Sequence, residues 1–284
     1  MNYLLFNELA DNGKAKENAQ ALEEELSSFY PKLKLVSLQN LEMDSFLKTL
    51  KSDDNVILFG GDGTVNHFVN TLGSNIIPCP IFLREAGTGN DFALDIKEKM
   101  DEKTKLTRIN EFIEDLPYVE VKGKTYRFIN GIGFGIDGEC CVKAEKMKKE
   151  GATDIDYSKI TIDLLLHSFK GRNAVVKVDD KEMKLNRVYI ASAMNGRYYG
   201  GGMKVAPTQK RGSKELTFVS CYNKGKLGML MLFPSLLKGT HLRHKKSTIA
   251  LKGKCIEVSF DCPCGLQIDG EVVEDVTSYK AYIL

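Results

Sequence analysis

Gly60-Gly61-Asp62-Gly63-Thr64 follows the uninterrupted apolar run of residues 55–59 (NVILF) and precedes a helical pattern over residues 65–72. Three glycines let a backbone turn tightly and approach a ligand closely. The start of a helix offers N–H groups without helical partners to an anion, phosphate above all. Asp62 is placed to hold Mg²⁺, directly or through water, and Thr64 to cap the helix or bond a phosphate oxygen. Alone, the motif also reads as a plain glycine turn with Thr64 as N-cap. A second loop, Gly87-Thr88-Gly89-Asn90-Asp91, repeats the arrangement between the strand-like residues 80–83 and a helical Phe92-Ala93-Leu94. Asn90 or Asp91 would serve a bland reading as a cap, but two such loops in succession weaken it. In a parallel sheet both lie at the carboxyl ends of their strands, where open α/β folds bind ligands. They are expected to cradle one polyphosphate from two sides.

These loops need a sheet to carry them. Residues 3–6 read as a strand, and 14–29 as an amphipathic helix with Ala19, Leu22 and Leu26 on one side. Residues 33–38 read as a second strand, 44–50 as a short helix begun by a capping Asp44, and 55–59 as a strand buried on both faces. Strand and helix alternate to about residue 115, the pattern of a doubly wound parallel α/β sheet with helices on both faces. The texture changes near Pro117. Residues 118–128 read as a hairpin turning at Lys122-Gly123, followed by helical patterns at 139–149 and 158–169. After Ala174 come short alternating strands at 175–178, 188–193, 215–221, 249–251 and 256–260, which point to a β-sandwich-like second domain. The predicted domains are residues 1–117 and 118–284, with the last strand a candidate to return to the first domain.

Composition narrows the field. The chain has 284 residues, 43% of them hydrophobic and 27% charged, which suits folded domains rather than a disordered or fibrous chain. A formal net charge of +2 does not point to nucleic acid, and a membrane-surface role needs a local basic patch. No secretory signal is evident, and no stretch reaches the roughly 18 apolar residues of a membrane span. The most apolar window, residues 227–237, is broken by Gly228, Pro234 and Ser235. Seven cysteines in no regular spacing read as free thiols in a reducing, cytoplasmic compartment. Cys262-Pro-Cys264 with Cys140 and Cys141 lacks zinc spacing, and the histidines predict no metal site.

Residues 60–66 (GGDGTVN) and 87–93 (GTGNDFA) resemble the paired nucleotide-binding motifs of the diacylglycerol kinase catalytic-domain family. That family includes bacterial diacylglycerol kinases, phosphatidylglycerol kinase-like proteins, ceramide kinases and sphingosine kinases. Three further segments match it in order: residues 7–15 (NELADNGKA), residues 200–207 (GGGMKVAP) and residues 267–271 (QIDGE). The resemblance implies an ATP-dependent kinase that moves the γ-phosphate to a lipid hydroxyl. It implies ATP and Mg²⁺ as cofactors, a lipid entering toward the β-rich domain, and transient contact with the inner face of the membrane. It also allows a homodimer. It assigns Asn7, Gly13, Ser37, Gly60, Gly61, Asp62, Gly63, Thr64, Asn66, Thr88, Gly89, Asn90 and Asp91 to ATP, and Asp62 to Mg²⁺ and catalysis. Glu271 or Asp269 would be the general base, because a carboxylate accepts the proton as the hydroxyl oxygen attacks phosphorus. Without the resemblance, Asp269-Gly270 reads as a hairpin turn.

The chain departs from the family at two places. Asn7-Glu8 stands where members have Asn-Pro. Ser213 and Thr217, with Lys214 and Glu215 nearby, stand where bacterial members carry a carboxylate pair that holds a structural Mg²⁺, so this second metal site is expected to be absent. Two alternatives remain open: an NAD kinase-like enzyme, which shares Gly-Gly-Asp-Gly-Thr, or a nucleotide- or lipid-binding homologue of weak activity. Residues 133–138 (GFGIDG) fit a dinucleotide fingerprint but follow a hairpin, so they are expected to serve close packing, with Asp137 facing a cleft. Gly123-Lys124-Thr125 lacks the earlier glycine of a P-loop. Residues 227–246 run from apolar to basic, either to dock on an anionic membrane or to pack on the β domain with a solvated basic end.

Overall fold

The computed structural model describes residues 1–8, 14–73, 75–87, 90–152 and 154–284, without the side chain of Asn40. It divides into two compact units, Met1–Glu114 and Asp115–Leu284.

The first unit runs β1 (Asn2–Phe6), α1 (Ala15–Leu26), β2 (Leu33–Ser37), α2 (Met43–Thr49), β3 (Asn55–Gly60), α3 (Asp62–Leu72), β4 (Ile81–Glu85), α4 (Asp91–Asp95), β5 (Thr107–Arg108) and α5 (Asn110–Ile113). Its sheet has the order β2-β1-β3-β4-β5, with β1 to β4 parallel and β5 antiparallel at the edge. Ala15, Ala19, Leu22 and Leu26, spaced as one helical stripe, bury α1 against Leu4, Phe6, Leu33 and Ile57. Tyr3 meets Phe46 of α2 edge-on at 5.1 Å. Because neighbouring strand residues point to opposite faces, α1 and α2 cover opposite sides of the sheet, as double winding requires. The helix expected from a capping Asp44 instead begins at Met43. Glu42 holds the cap position without a side-chain bond, and Asp44 lies in the first turn, where its charge suits the helix dipole.

The second unit runs β6 (Tyr118–Val121), β7 (Lys124–Arg127), β8 (Gly131–Phe134), α6 (Ile136–Lys149), α7 (Tyr157–Asp163), β9 (Arg172–Val178), β10 (Lys181–Val188), β11 (Ile190–Met194), β12 (Leu216–Cys221), α8 (Lys226–Leu237), β13 (Thr248–Gly253), β14 (Cys255–Ile268) and β15 (Glu271–Tyr282). Ten strands form one sheet along β13-β12-β11-β8-β14-β15-β6-β7, with β9 on β14 and β10 on β9. The 14-residue β14 folds this sheet over: its first half pairs β9, its second half pairs β8, and the register shifts between Ser259 and Cys264. Phe134 stacks on Phe260 at 4.1 Å within the resulting core. The last strand, β15, pairs with β14 and β6 and so stays in this unit rather than returning to the first. Helices α6, α7 and α8 and a π-helical turn, Leu164–Ser168, form a separate apolar cluster.

Candidate active site

The parallel sheet gathers the predicted nucleotide residues at one edge. Phe6, the last residue of β1, is in register with Ser37 of β2 and Phe59 of β3, and Gly60 is in register with Glu85 of β4. Asn7, Ser37, residues 60–66 and the chain leaving β4 therefore all emerge from the carboxyl ends of adjacent strands. Ser37 ends its strand with a buried hydroxyl that has no partner among the described residues. Gly13, Thr88 and Gly89 lie outside the described residues.

The turn after β3 is tighter than the motif suggests. Helix α3 begins at Asp62, with Gly61 as its cap, so Thr64 sits inside the first turn rather than capping it. Thr64 is buried and tucks under Gly60, where an added Cβ would lie 2.2 Å from its Oγ1. That contact accounts for Gly60. Gly63 has no such packing reason: a Cβ there meets nothing within 4 Å. Asn66 lies one turn further along α3, and its Oδ1 accepts from Asn70 Nδ2 at 3.1 Å.

Asp62 joins the two loops. Its carboxylate accepts from the backbone N–H of Asp91 at 2.9 Å and of Phe92 at 3.1 Å, capping α4 from outside. Asn90, expected as a candidate cap, makes no side-chain cap bond and instead donates from Nδ2 to the Gly87 carbonyl at 3.0 Å, closing its own loop. The backbone adds Ala86 N–H to the Gly60 carbonyl at 3.2 Å. Asp91 is buried at the head of α4.

In the second unit, Asp269 and Glu271 separate cleanly. Asp269 and Gly270, both at positive φ, form the two-residue turn between β14 and β15, with Ile268 and Glu271 as the flanking pair. The Asp269 carboxylate accepts three backbone N–H groups, from Ile129 at 2.6 Å, Asn130 at 2.8 Å and Gly131 at 3.0 Å. Gln267 Oε1 accepts the Gly270 N–H at 2.7 Å. Glu271 is exposed at the first position of β15 and makes no side-chain bond among the described residues.

Residues 2–121 match the diacylglycerol kinase catalytic domain, and residues 130–281 match the YegS C-terminal NAD kinase beta sandwich-like domain. The chain belongs to the diacylglycerol kinase family. Among its relatives, YtlR of Bacillus subtilis, named as a candidate lipid kinase, is 25% identical over 231 residues, which is 77% of this chain and 74% of that protein. A diacylglycerol kinase of Mycobacterium tuberculosis is 24% identical over 219 residues, 75% of this chain and 68% of that protein. The crystal structure of a diacylglycerol kinase from Bacillus anthracis superposes on the whole chain and 93% of its own, with a TM-score of 0.68 at 20% identity, and so shares the fold.

Within this family frame, the glycines of residues 133–138 turn out to serve packing. An added Cβ would lie 2.2 Å from Asp137 Oδ2 at Gly133, 2.3 Å from the Tyr189 carbonyl at Gly135, and 2.1 Å from the Gly265 carbonyl at Gly138. They press the start of α6 onto β14 and β11. Asp137 is thereby drawn inside: Tyr199 Oη donates to its Oδ2 at 2.6 Å, Ser192 Oγ lies at 3.5 Å, and Oδ1 is buried without a partner among the described residues. Burial pushes the Asp137 carboxyl above its ordinary range, against the pull of these hydrogen bonds. Asp137 thus lies buried at the head of α6 and does not face an open cleft. Among the described residues no three His, Cys, Asp or Glu side chains converge as a metal site, and no helix is long and apolar enough to cross a membrane.

Proposed function

We propose that the chain is an ATP-dependent lipid kinase that transfers the γ-phosphate to the hydroxyl of diacylglycerol or a related lipid. The observation that carries this reading is the Asp62 bridge, which locks two glycine loops side by side at the carboxyl edge of a parallel sheet. Such an edge, with the amino end of α3 opening onto it, suits a polyphosphate. Gly63 leaves room for phosphate against the helix end, and Asn7, Ser37 and Asn66 supply polar groups around it.

Mg²⁺ would bind chiefly to the nucleotide's own phosphates, as this ion commonly does, with Asp62 contributing the lone pairs its backbone bonds leave over. When bound, it neutralises charge on the phosphates. Glu271 is the general base: its carboxylate is exposed and uncommitted, whereas both Asp269 oxygens already serve the backbone. Asp269 then acts by holding the turn that presents Glu271.

The acceptor's apolar body is proposed to enter beside α8, where Ile136, Leu165, Met229, Phe233 and Leu236 line an apolar cavity, with Asp137 as its one carboxyl group; at about 30 Å³ that cavity must widen to admit an acyl chain. The outer side of α8 is proposed to rest on the membrane. Leu227 and Met231 are 71% and 76% exposed, Pro234 and Lys238 continue their stripe, and Arg243, Lys245 and Lys246 follow, exposed and basic.

The test is transfer from γ-labelled ATP to a panel of diacylglycerol, phosphatidylglycerol, ceramide and a sphingoid base in anionic vesicles, with NAD as a separate acceptor. Label in the organic phase, lost in Glu271→Gln and reduced in Leu227→Glu/Met231→Glu, is the expected outcome. Label on NAD alone, or nucleotide binding without transfer to any acceptor, overturns it.

A further inference from the structure

The structural Mg²⁺ implied by the resemblance would sit near Ser213 and Thr217, and the residues present do not fit it. Among the described residues no group of three His, Cys, Asp or Glu side chains converges there to hold a metal, and the place is filled. Gln209 is 2% exposed, and its side-chain nitrogen lies within hydrogen-bond distance of four oxygens. These are the carbonyls of Glu215 at 2.9 Å, Asn195 at 3.4 Å and Lys210 at 3.4 Å, and Ser213 Oγ at 3.3 Å. The amide oxygen is held in turn: Thr217 Oγ1 donates to it at 2.6 Å, and Thr217 is itself buried. Three converging carbonyls and a hydroxyl are the donor set of a hard cation. Here a neutral amide, with two N–H groups shared among four acceptors, stands at their centre. Without an anionic ligand in the cage, a divalent ion would lose its hydration with no charge to offset the loss.

The structure assigns to the Gln209 amide the task of a structural cation: it fastens the segment between β11 and β12 so that the second unit needs no divalent ion. The fastening reaches the proposed base. From this segment Asn195 Nδ2 donates to the Ile129 carbonyl at 3.0 Å, and the N–H groups of Asn195 and Gly196 both donate to the Asn130 carbonyl at 2.9 Å. Arg211 donates to the Ile129 carbonyl and, at 2.7 Å, to Asn130 Oδ1. The N–H side of the same residues is what Asp269 grips. Residues 129–130 are therefore clamped on one side by the Gln209-ordered segment and on the other by the turn that carries Glu271. Gln209 is a structural residue, and its role is independent of which acceptor the enzyme uses.

The experiment is thermal unfolding of the full chain without nucleotide, in EDTA and in millimolar Mg²⁺ or Ca²⁺. Wild type is expected to melt within about 1 °C under all three conditions. Gln209→Met, matched in length but without donors, strands buried carbonyls and lowers the melting temperature by about 5 °C or more, again regardless of metal. Gln209→Asp is one methylene shorter and anionic. It opens room among the carbonyls and is expected to regain at least half of its loss in Ca²⁺, with a matching Ca²⁺-binding isotherm that wild type lacks. Wild type stabilised by several degrees in either metal, Gln209→Met melting like wild type, or Gln209→Asp indifferent to Ca²⁺ would each overturn the inference. If Gln209→Asp does not fold in EDTA, refolding it with and without Ca²⁺ gives the same reading.

Discussion

Replacing Asp62 by Ala separates two roles that its motif confounds. A residue that served only a metal would leave the nucleotide-free protein untouched. The Asp62 seen here accepts two backbone N–H groups, at 2.9 and 3.1 Å, from the first residues of α4. Bonds to a charged acceptor contribute about 1.5–3 kcal/mol each, and these are only partly buried, so the lower end applies. Two bonds give about 3 kcal/mol. For a unit of 114 residues, about 4 °C is lost per kcal/mol, so its transition falls by about 12 °C. Asp62→Asn keeps the shape and one acceptor but turns an NH₂ toward the second N–H, and it recovers less than half of that loss. Scanning calorimetry of the full chain, without ATP or metal, reads the first unit's transition directly. An Asp62→Ala transition within about 2 °C of wild type would refute the bridge and return Asp62 to the role of metal ligand alone.

The other predictions concern the second unit. Asp269→Asn loses charge-assisted bonds to three backbone N–H groups and should lower that unit's melting temperature by about 5 °C. Glu271→Gln should leave the melting temperature unchanged while lowering kcat about 100-fold, with KM for ATP unmoved; the reverse pattern would exchange their roles. His241 is fully buried, and burial, with a smaller repulsion from His244, holds its pKa below the ordinary 6.5. Its contribution to stability is complete above about pH 6.5 and drains away as pH falls toward the lower folded-state value, because the unfolded chain takes up the proton first. A melting series from pH 7.5 down to pH 5.5 should therefore show a steeper decline for wild type than for His241→Gln, and equal slopes would exclude this group.

The two units differ in how openly their sequences speak, and the reason is contact range. In the first, strand, turn and helix follow one another within about 30 residues, so β3, the glycine turn and α3 are each visible in local pattern. What local pattern missed there was a bond across 29 positions: nothing near Asp62 reveals that it caps α4, and Thr64, the more obvious cap, is used to fill the space under Gly60. In the second unit the decisive partners lie further apart. Asp269 meets Ile129 across 140 positions, and Tyr199 meets Asp137 across 62. Strand β10 escaped because its alternation of Lys, Glu and Asn with a few apolar residues reads as a polar loop until β9 pairs with it. The hairpin turn at Asp269-Gly270 was legible as a turn and Glu271 as a carboxylate, but their division of labour depends on three N–H groups that only the folded sheet brings to Asp269. A carboxylate already satisfied by the backbone is a poor base, which is why Glu271 is the proposed base and Asp269 is proposed to hold the turn. The pattern at 269–271 could not make that distinction, since both residues carry the same functional group two positions apart.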